Sequence, residues 1–179
     1  MQLSNIFEGL TRCMTMIGGL FLDRDGVLIP ERGDYNFLAE QSILLPDVGV
    51  ALAMLKPYFQ HFIVITNQSG VSKGLYSHDD VSMMHNSIQR QLAEYEVQIS
   101  DFYYCPHAVA VSKCFCRKPD GIMIEKALSR FHLPASKSVM MGDMERDILA
   151  GLAAGVHTVK ITSNDRLEDF IPEILEKIK

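Results

Sequence analysis

A three-layer α/β fold with a doubly wound, mostly parallel sheet is the class this sequence predicts, and three observations carry it. Short apolar runs rich in β-branched residues recur along the chain, each separated from the next by a segment with helical spacing. The first run ends abruptly in Asp23-Arg24-Asp25-Gly26, and the carboxyl ends of such strands are where open α/β sheets bind ligands. A length of 179 residues with 47% hydrophobic content is enough for one full core and too little for two sizeable ones.

The elements follow in order. Met16 to Leu22 reads as the first strand, a continuous apolar run of the kind buried on both faces of a parallel sheet. The apolar stretch after Arg12 imitates a signal peptide, but it passes straight into Asp23-Arg24-Asp25 without a small-residue cleavage pattern. Pro46-Asp47 opens a helix to about Tyr58, and His61 to Thr66 is a second strand. A long helix from about His78 to Glu96 carries Asp79 and Asp80 near its N-terminus, where negative charge suits the dipole. Asp101 to Tyr104 gives a third strand, Gly121 to about Phe131 a helix, and Ser138 to Gly142 a fourth strand. Glu145 to about Ala154 is helical, His157 to Ile161 is a fifth strand, and a last helix closes the chain. Right-handed crossovers join such units. Residues 1–15 form an N-terminal extension: a helical stripe of Leu3, Ile6, Phe7 and Leu10, or sequence upstream of a start at Met14 or Met16. Residues 16–179 make one domain without repeat or linker.

A net charge of −5, from 17 basic and 22 acidic residues, gives no field that would draw the chain to nucleic acid or an anionic membrane. No segment reaches the length of a membrane span. Three of the four cysteines, Cys105, Cys114 and Cys116, crowd beside His107, a pattern that suits a metal in a reducing compartment better than disulfides. The expectation is a cytoplasmic monomer acting on a small phosphorylated metabolite.

Asp23 and Asp25 supply the chemistry of phosphoryl transfer. The first can attack phosphorus to form an aspartyl-phosphate, and the second can protonate the leaving oxygen and then activate water; the bland reading is an acidic turn after a strand. Thr66-Asn67-Gln68-Ser69-Gly70, ending the second strand, offers a hydroxyl and backbone N–H groups, with the glycine permitting a tight turn. Lys118 can neutralise phosphate charge and Arg117 can grip a second anionic group through its planar fork, unless the two are a solvated basic pair. The fourth strand ends in Gly142-Asp143, with Asp147 four residues on. Asp143, Asp23 and the Asp25 main-chain carbonyl give Mg²⁺ hard oxygen ligands, where the alternative for Asp143 is a helix cap.

Cys105-Pro106-His107 followed by Cys114-Phe115-Cys116 supplies three thiolates and an imidazole, a closed tetrahedral set for structural Zn²⁺. Such a zinc fixes the loop that aims Lys118.

The order Asp23-Arg24-Asp25-Gly26, Thr66-Asn67, Lys118, then Gly142-Asp143 with Asp147 resembles the four motifs of the haloacid dehalogenase superfamily, from residue 17 to 161. The resemblance implies a Rossmann-like phosphatase, because the acid two residues after the nucleophile marks that branch. Gly26 to His61 and Gly70 to Cys116 hold too little for an inserted cap domain, which implies a capless site. The Cys-Pro-His loop ending in Cys-x-Cys-Arg-Lys-Pro resembles the subfamily of histidinol-phosphate phosphatases and heptose 1,7-bisphosphate phosphatases, and TNQSGVSKG is similar to the heptose branch. Val27 stands where a threonine is usual, and Met144 where a lysine often follows Gly-Asp. The resemblance implies hydrolysis of the 7-phosphate of such a bisphosphate, with Asn67, Gln68, Ser69 and Arg117 on the substrate. The rivals are a histidinol-phosphate phosphatase and a zinc-stabilised binding module without catalysis.

Overall fold

The computed structural model describes residues 18–110 and 113–179. Its strands are β1 (Gly19–Leu22), β2 (His61–Asn67), β3 (Ile99–Cys105), β4 (Val139–Gly142) and β5 (His157–Lys160), all parallel, in the order β3-β2-β1-β4-β5. The helices are α1 (Val48–Leu55), α2 (His78–Ala93), α3 (Ile122–Phe131), α4 (Glu145–Ala153) and α5 (Ile171–Lys177). The winding direction reverses at β1, which places a topological switch point, and so a crevice, at the ends of β1, β2 and β4.

Both faces of the central strands β1, β2 and β4 are buried, which explains why these read as unbroken apolar runs, whereas the edge strands β3 and β5 are largely part-exposed. Leu20, Leu22, Val64 and Met141 pack on one face with Leu52 of α1, Met84 and Ile88 of α2, and Ile174 of α5. Phe21, Ile63, Ile65 and Met140 pack on the other with Ile124 and Ala127 of α3 and Ala150 of α4. The expected doubly wound fold is thus present, with small boundary changes. β3 begins at Ile99, two residues early, with a register shift against β2 between Phe62 and Ile63. α2 stops at Ala93, short of Glu96, because Glu96 turns to φ 56° and the Val97 N–H bonds back to the Leu92 carbonyl. Among the described residues no helix is long and apolar enough to cross a membrane. The N-terminal extension, residues 1–15 with Cys13, lies outside the described residues.

Candidate active site

Pairing to β4 continues one residue beyond β1, where the Asp23 N–H bonds to the Met141 carbonyl at 3.0 Å. That bond fixes Asp23 at the sheet edge. Its Oδ1 accepts from the Arg24 N–H at 2.7 Å and lies 2.9 Å from Lys118 Nζ. Lys118, fully buried, also donates to the Ile65 carbonyl at 2.6 Å and lies 2.7 Å from Asp147 Oδ1, so its charge sits between two carboxylates. It stands behind the nucleophile candidate instead of on the cavity wall. Burial pushes the Asp23 carboxyl up to about 7, against the opposing pull of Lys118 and with Asp147 and Asp25 adding to the rise.

Asp25 is held from three directions. Asn36 Nδ2 donates to its Oδ1 at 2.7 Å, Gln68 Nε2 to its Oδ2 at 3.2 Å, and the buried Arg24 guanidinium spans both oxygens. Gln68 also donates to Thr66 Oγ1 at 2.9 Å and accepts from the Tyr76 hydroxyl at 2.8 Å. Its amide therefore orients Asp25 and Thr66. Asn67 forms a reciprocal pair with the backbone N–H and carbonyl of Lys118, at 3.1 Å each, and so pins the lysine. Gly70 lies in the expected turn, closed by the Val71 N–H on the Gln68 carbonyl at 3.3 Å, but without a left-handed φ; what requires glycine is that a side chain there would strike the Tyr76 ring. Asp143 does not cap α4 either. That part falls to Asp147, whose Oδ2 accepts from the Met144 N–H at 2.9 Å.

Asp23, Asp25, Thr66, Asn67, Gln68, Ser69 and Arg117 all line one cavity of about 380 Å³, within the usual range for small-ligand sites. Several neighbours carry no signal in the sequence: Asn36, Tyr76 and Arg146 line the cavity too, and Ser163 donates a hydrogen bond to Asp143 Oδ2. These residues belong to no recurring motif, so only their position in the fold identifies them.

Cys105, His107, Cys114 and Cys116 come together with ligand atoms within 4.8 Å of one another. Cys105 Sγ is 3.6 Å from Cys114 Sγ and 3.2 Å from Cys116 Sγ, and His107 Nδ1 is 3.3 Å from Cys116 Sγ and 3.6 Å from Cys105 Sγ. Tetrahedral zinc with ordinary bond lengths sets these edges at about 3.8 Å for sulfur pairs and about 3.6 Å for sulfur to nitrogen, so these four edges match the ion to within about 0.6 Å. Without a cation, burial pushes the Cys105 thiol up to about 12. The loop is braced by Ser72, whose Oγ accepts from the Ala108 N–H at 2.7 Å, and Arg117 donates to the His107 carbonyl at 3.1 Å.

A family model described as HAD-hydrolase-like matches residues 115–171. The chain is 34% identical over 142 residues to the D-glycero-α-D-manno-heptose-1,7-bisphosphate 7-phosphatase of Photorhabdus laumondii, covering 76% of this chain and 77% of that one. It is also 34% identical over 144 residues to the β-anomer 7-phosphatase of Haemophilus influenzae, with coverage of 76% and 77%. The chain belongs to this phosphatase family of the haloacid dehalogenase superfamily. It is accordingly a phosphoric monoester hydrolase. The D,D-heptose 1,7-bisphosphate phosphatase of B. bronchiseptica, complexed with magnesium and phosphate, shares the fold at a TM-score of 0.78, with 23% identity over 90% of this chain and 99% of that one. Haloacid dehalogenase phosphatases use Mg²⁺, and the residues present fit it. Asp23, Asp143 and Asp147, all buried, bring carboxylate oxygens within 4.8 Å of one another, and Lys118 offsets only one of the three charges. Asp143 Oδ1 is buried without a partner, the donor a divalent cation would take.

Proposed function

We propose that this phosphatase removes the 7-phosphate of D-glycero-D-manno-heptose 1,7-bisphosphate through a covalent phosphate on Asp23. The observation that carries the reading is the pairing of Asp23, with Oδ1 pinned by Lys118 and Arg24, and Asp25, held by Asn36, Gln68 and Arg24, on one cavity. The substrate comes from the names of the curated relatives.

An Asp23 oxygen attacks phosphorus, the bond from phosphorus to the sugar oxygen breaks, and Asp25 as a carboxylic acid gives its proton to that oxygen. Asp25 then takes a proton from water, whose oxygen attacks the phosphorus of the aspartyl-phosphate and releases inorganic phosphate and the Asp23 carboxylate. Thr66 Oγ1 accepts from Gln68, so its own proton is available to a phosphoryl oxygen. Lys118 holds Asp23 in place and supplies positive charge behind it. Asp23, the Asp25 carbonyl and Asp143 would hold Mg²⁺, which neutralises charge on the phosphoryl oxygens when bound. The closed Cys105, His107, Cys114 and Cys116 set would hold structural Zn²⁺, steadying the loop that carries Arg117 and Lys118. Asn67, Gln68 and Ser69 lie along the substrate, and Arg117 meets its 1-phosphate. Single helices or short turns between the motifs support a capless, open site in one domain. The same reading has the enzyme acting as a cytoplasmic monomer.

The test is a panel of phosphorylated metabolites assayed with Mg²⁺, with Asp23→Asn as control. The heptose bisphosphate should give the highest kcat/KM, and Asp23→Asn should abolish turnover with the fold intact. A higher kcat/KM on histidinol phosphate would overturn the substrate, and appreciable turnover by Asp23→Asn would overturn the nucleophile.

A further inference from the structure

Arg146 is the second residue of α4, and its side chain lines the same cavity as Asp23, Asp25 and Thr66. Among the described residues no carboxylate lies within ion-pair distance of it. Its Nε is shut off from solvent without a hydrogen-bond partner. A buried donor left in that state is destabilising, a cost that a bound anion removes.

Arg24 Nη1 is likewise buried without a hydrogen-bond partner, but two other cations near the nucleophile differ from Arg146 in having carboxylate partners. Arg24 is paired with Asp25, and Lys118 lies between Asp23 and Asp147. Arg117 resembles Arg146: its one described hydrogen bond goes to a backbone carbonyl, and no carboxylate pairs with it among the described residues. Two un-neutralised guanidiniums, from the segments that follow β3 and β4, therefore face one cavity. Glu31 and Asp34 also line it, but each turns a carboxylate oxygen onto its own loop, to the Gly33 and Tyr35 N–H groups at 2.7 Å.

Depth decides what these guanidiniums meet. The reacting phosphorus must lie against Asp23, in front of the fully buried Lys118. Arg117 and Arg146 are both part-exposed, whereas Asp23, Thr66 and Lys118 are buried, which suits the two guanidiniums to the end of a ligand away from the reacting phosphorus. We propose that Arg146 joins Arg117 in binding the second, non-reacting phosphate of a bisphosphorylated sugar, as a specificity-determining residue. A phosphate ester carries close to two negative charges near neutral pH, which two guanidiniums match, each offering paired N–H donors. This rests on the phosphatase reading above and extends it.

The test compares kcat/KM for heptose 1,7-bisphosphate, fructose 1,6-bisphosphate and p-nitrophenyl phosphate in wild type, Arg146→Ala, Arg146→Lys and Arg117→Ala. Alanine suits a helical position, and circular dichroism checks the fold. Arg146→Ala should lower the value on the bisphosphates roughly ten- to a hundredfold, chiefly through KM. The lysine variant should recover part of the loss, and p-nitrophenyl phosphate should fall within about threefold. Equal loss on all three substrates would make Arg146 a partner of the reacting phosphoryl group, and no loss on the bisphosphates would make it a surface cation; either result overturns the proposal. A wild-type preference for fructose 1,6-bisphosphate would remove the heptose assignment while supporting the role of Arg146. Wild type that turns over neither bisphosphate better than p-nitrophenyl phosphate would overturn both.

Discussion

Replacing Lys118 by methionine should remove a cation from the most heavily charged part of the core, and the structure sets the size of the effect. The lysine side chain is fully buried and lies 2.9 Å from Asp23 Oδ1 and 2.7 Å from Asp147 Oδ1. Asp23, Asp143 and Asp147 would then share the space with no positive charge. Removing one partner of a buried ion pair costs about 3–5 kcal/mol, which in a domain of this size lowers Tm by about 6–20 °C. The deficit should depend on pH in a defined sense. Asp23 already holds a carboxyl raised to about 7 by burial, and losing Lys118 raises it further. A folded-state acid raised above its unfolded value keeps a proton that the unfolded chain releases, so stability is lost as pH rises from about 4 upward. Urea denaturation at about pH 8 and about pH 5.5 should therefore show a smaller deficit at the lower pH. Adding Asp147→Asn to Lys118→Met should recover part of the loss, since it removes one unpaired charge and keeps an oxygen for the Met144 N–H. A loss under about 1 kcal/mol, a deficit that does not shrink on acidification, or no recovery in the double variant would refute the reasoning.

Asp25→Asn should cost roughly a hundred- to ten-thousandfold on sugar phosphates and much less on aryl phosphates, whose leaving groups need little protonation; equal losses on both would remove Asp25 as the acid. Purified protein should contain about one zinc per chain, and Cys116→Ser should lose the metal along with activity, because the ligand is two residues from Lys118. Zinc-free protein of full activity and unchanged Tm would contradict this. His85 is buried against the Phe102 ring, with centroids 4.3 Å apart, and burial pushes its imidazole down to about 3. Below its ordinary value of 6.5 the unfolded chain takes a proton that the folded chain refuses, so stability should fall on acidification by up to about 1.4 kcal/mol per pH unit. His85→Phe should remove that contribution from the acid limb of the denaturation profile, and identical acid limbs would count against it.

What was legible in the sequence is what depends on local pattern. The central strands show as apolar runs because both their faces are buried, and the site aspartates, Thr66 and Lys118 show because each sits where a strand ends or a loop meets a helix. What was not legible depends on pairs distant in sequence. Gln68 reads as one more polar residue in a loop, yet its amide joins Tyr76, Thr66 and Asp25. Lys118 reads as a phosphate-facing cation, yet it donates to a β2 carbonyl and its charge lies between Asp23 and Asp147. Gly26 is the sharpest case. In Asp-Arg-Asp-Gly the glycine looks like a turn residue, and its φ of 81° agrees. A side chain there would also collide with Asp143 Oδ2, the oxygen that accepts from the Ser163 hydroxyl. Asp143 is thus seated by an absent Cβ at position 26 and a hydroxyl at position 163, with Oδ1 left unpartnered. The position of this candidate metal carboxylate is specified jointly by the loops after β1, β4 and β5, and no window of sequence short enough to show periodicity contains all three.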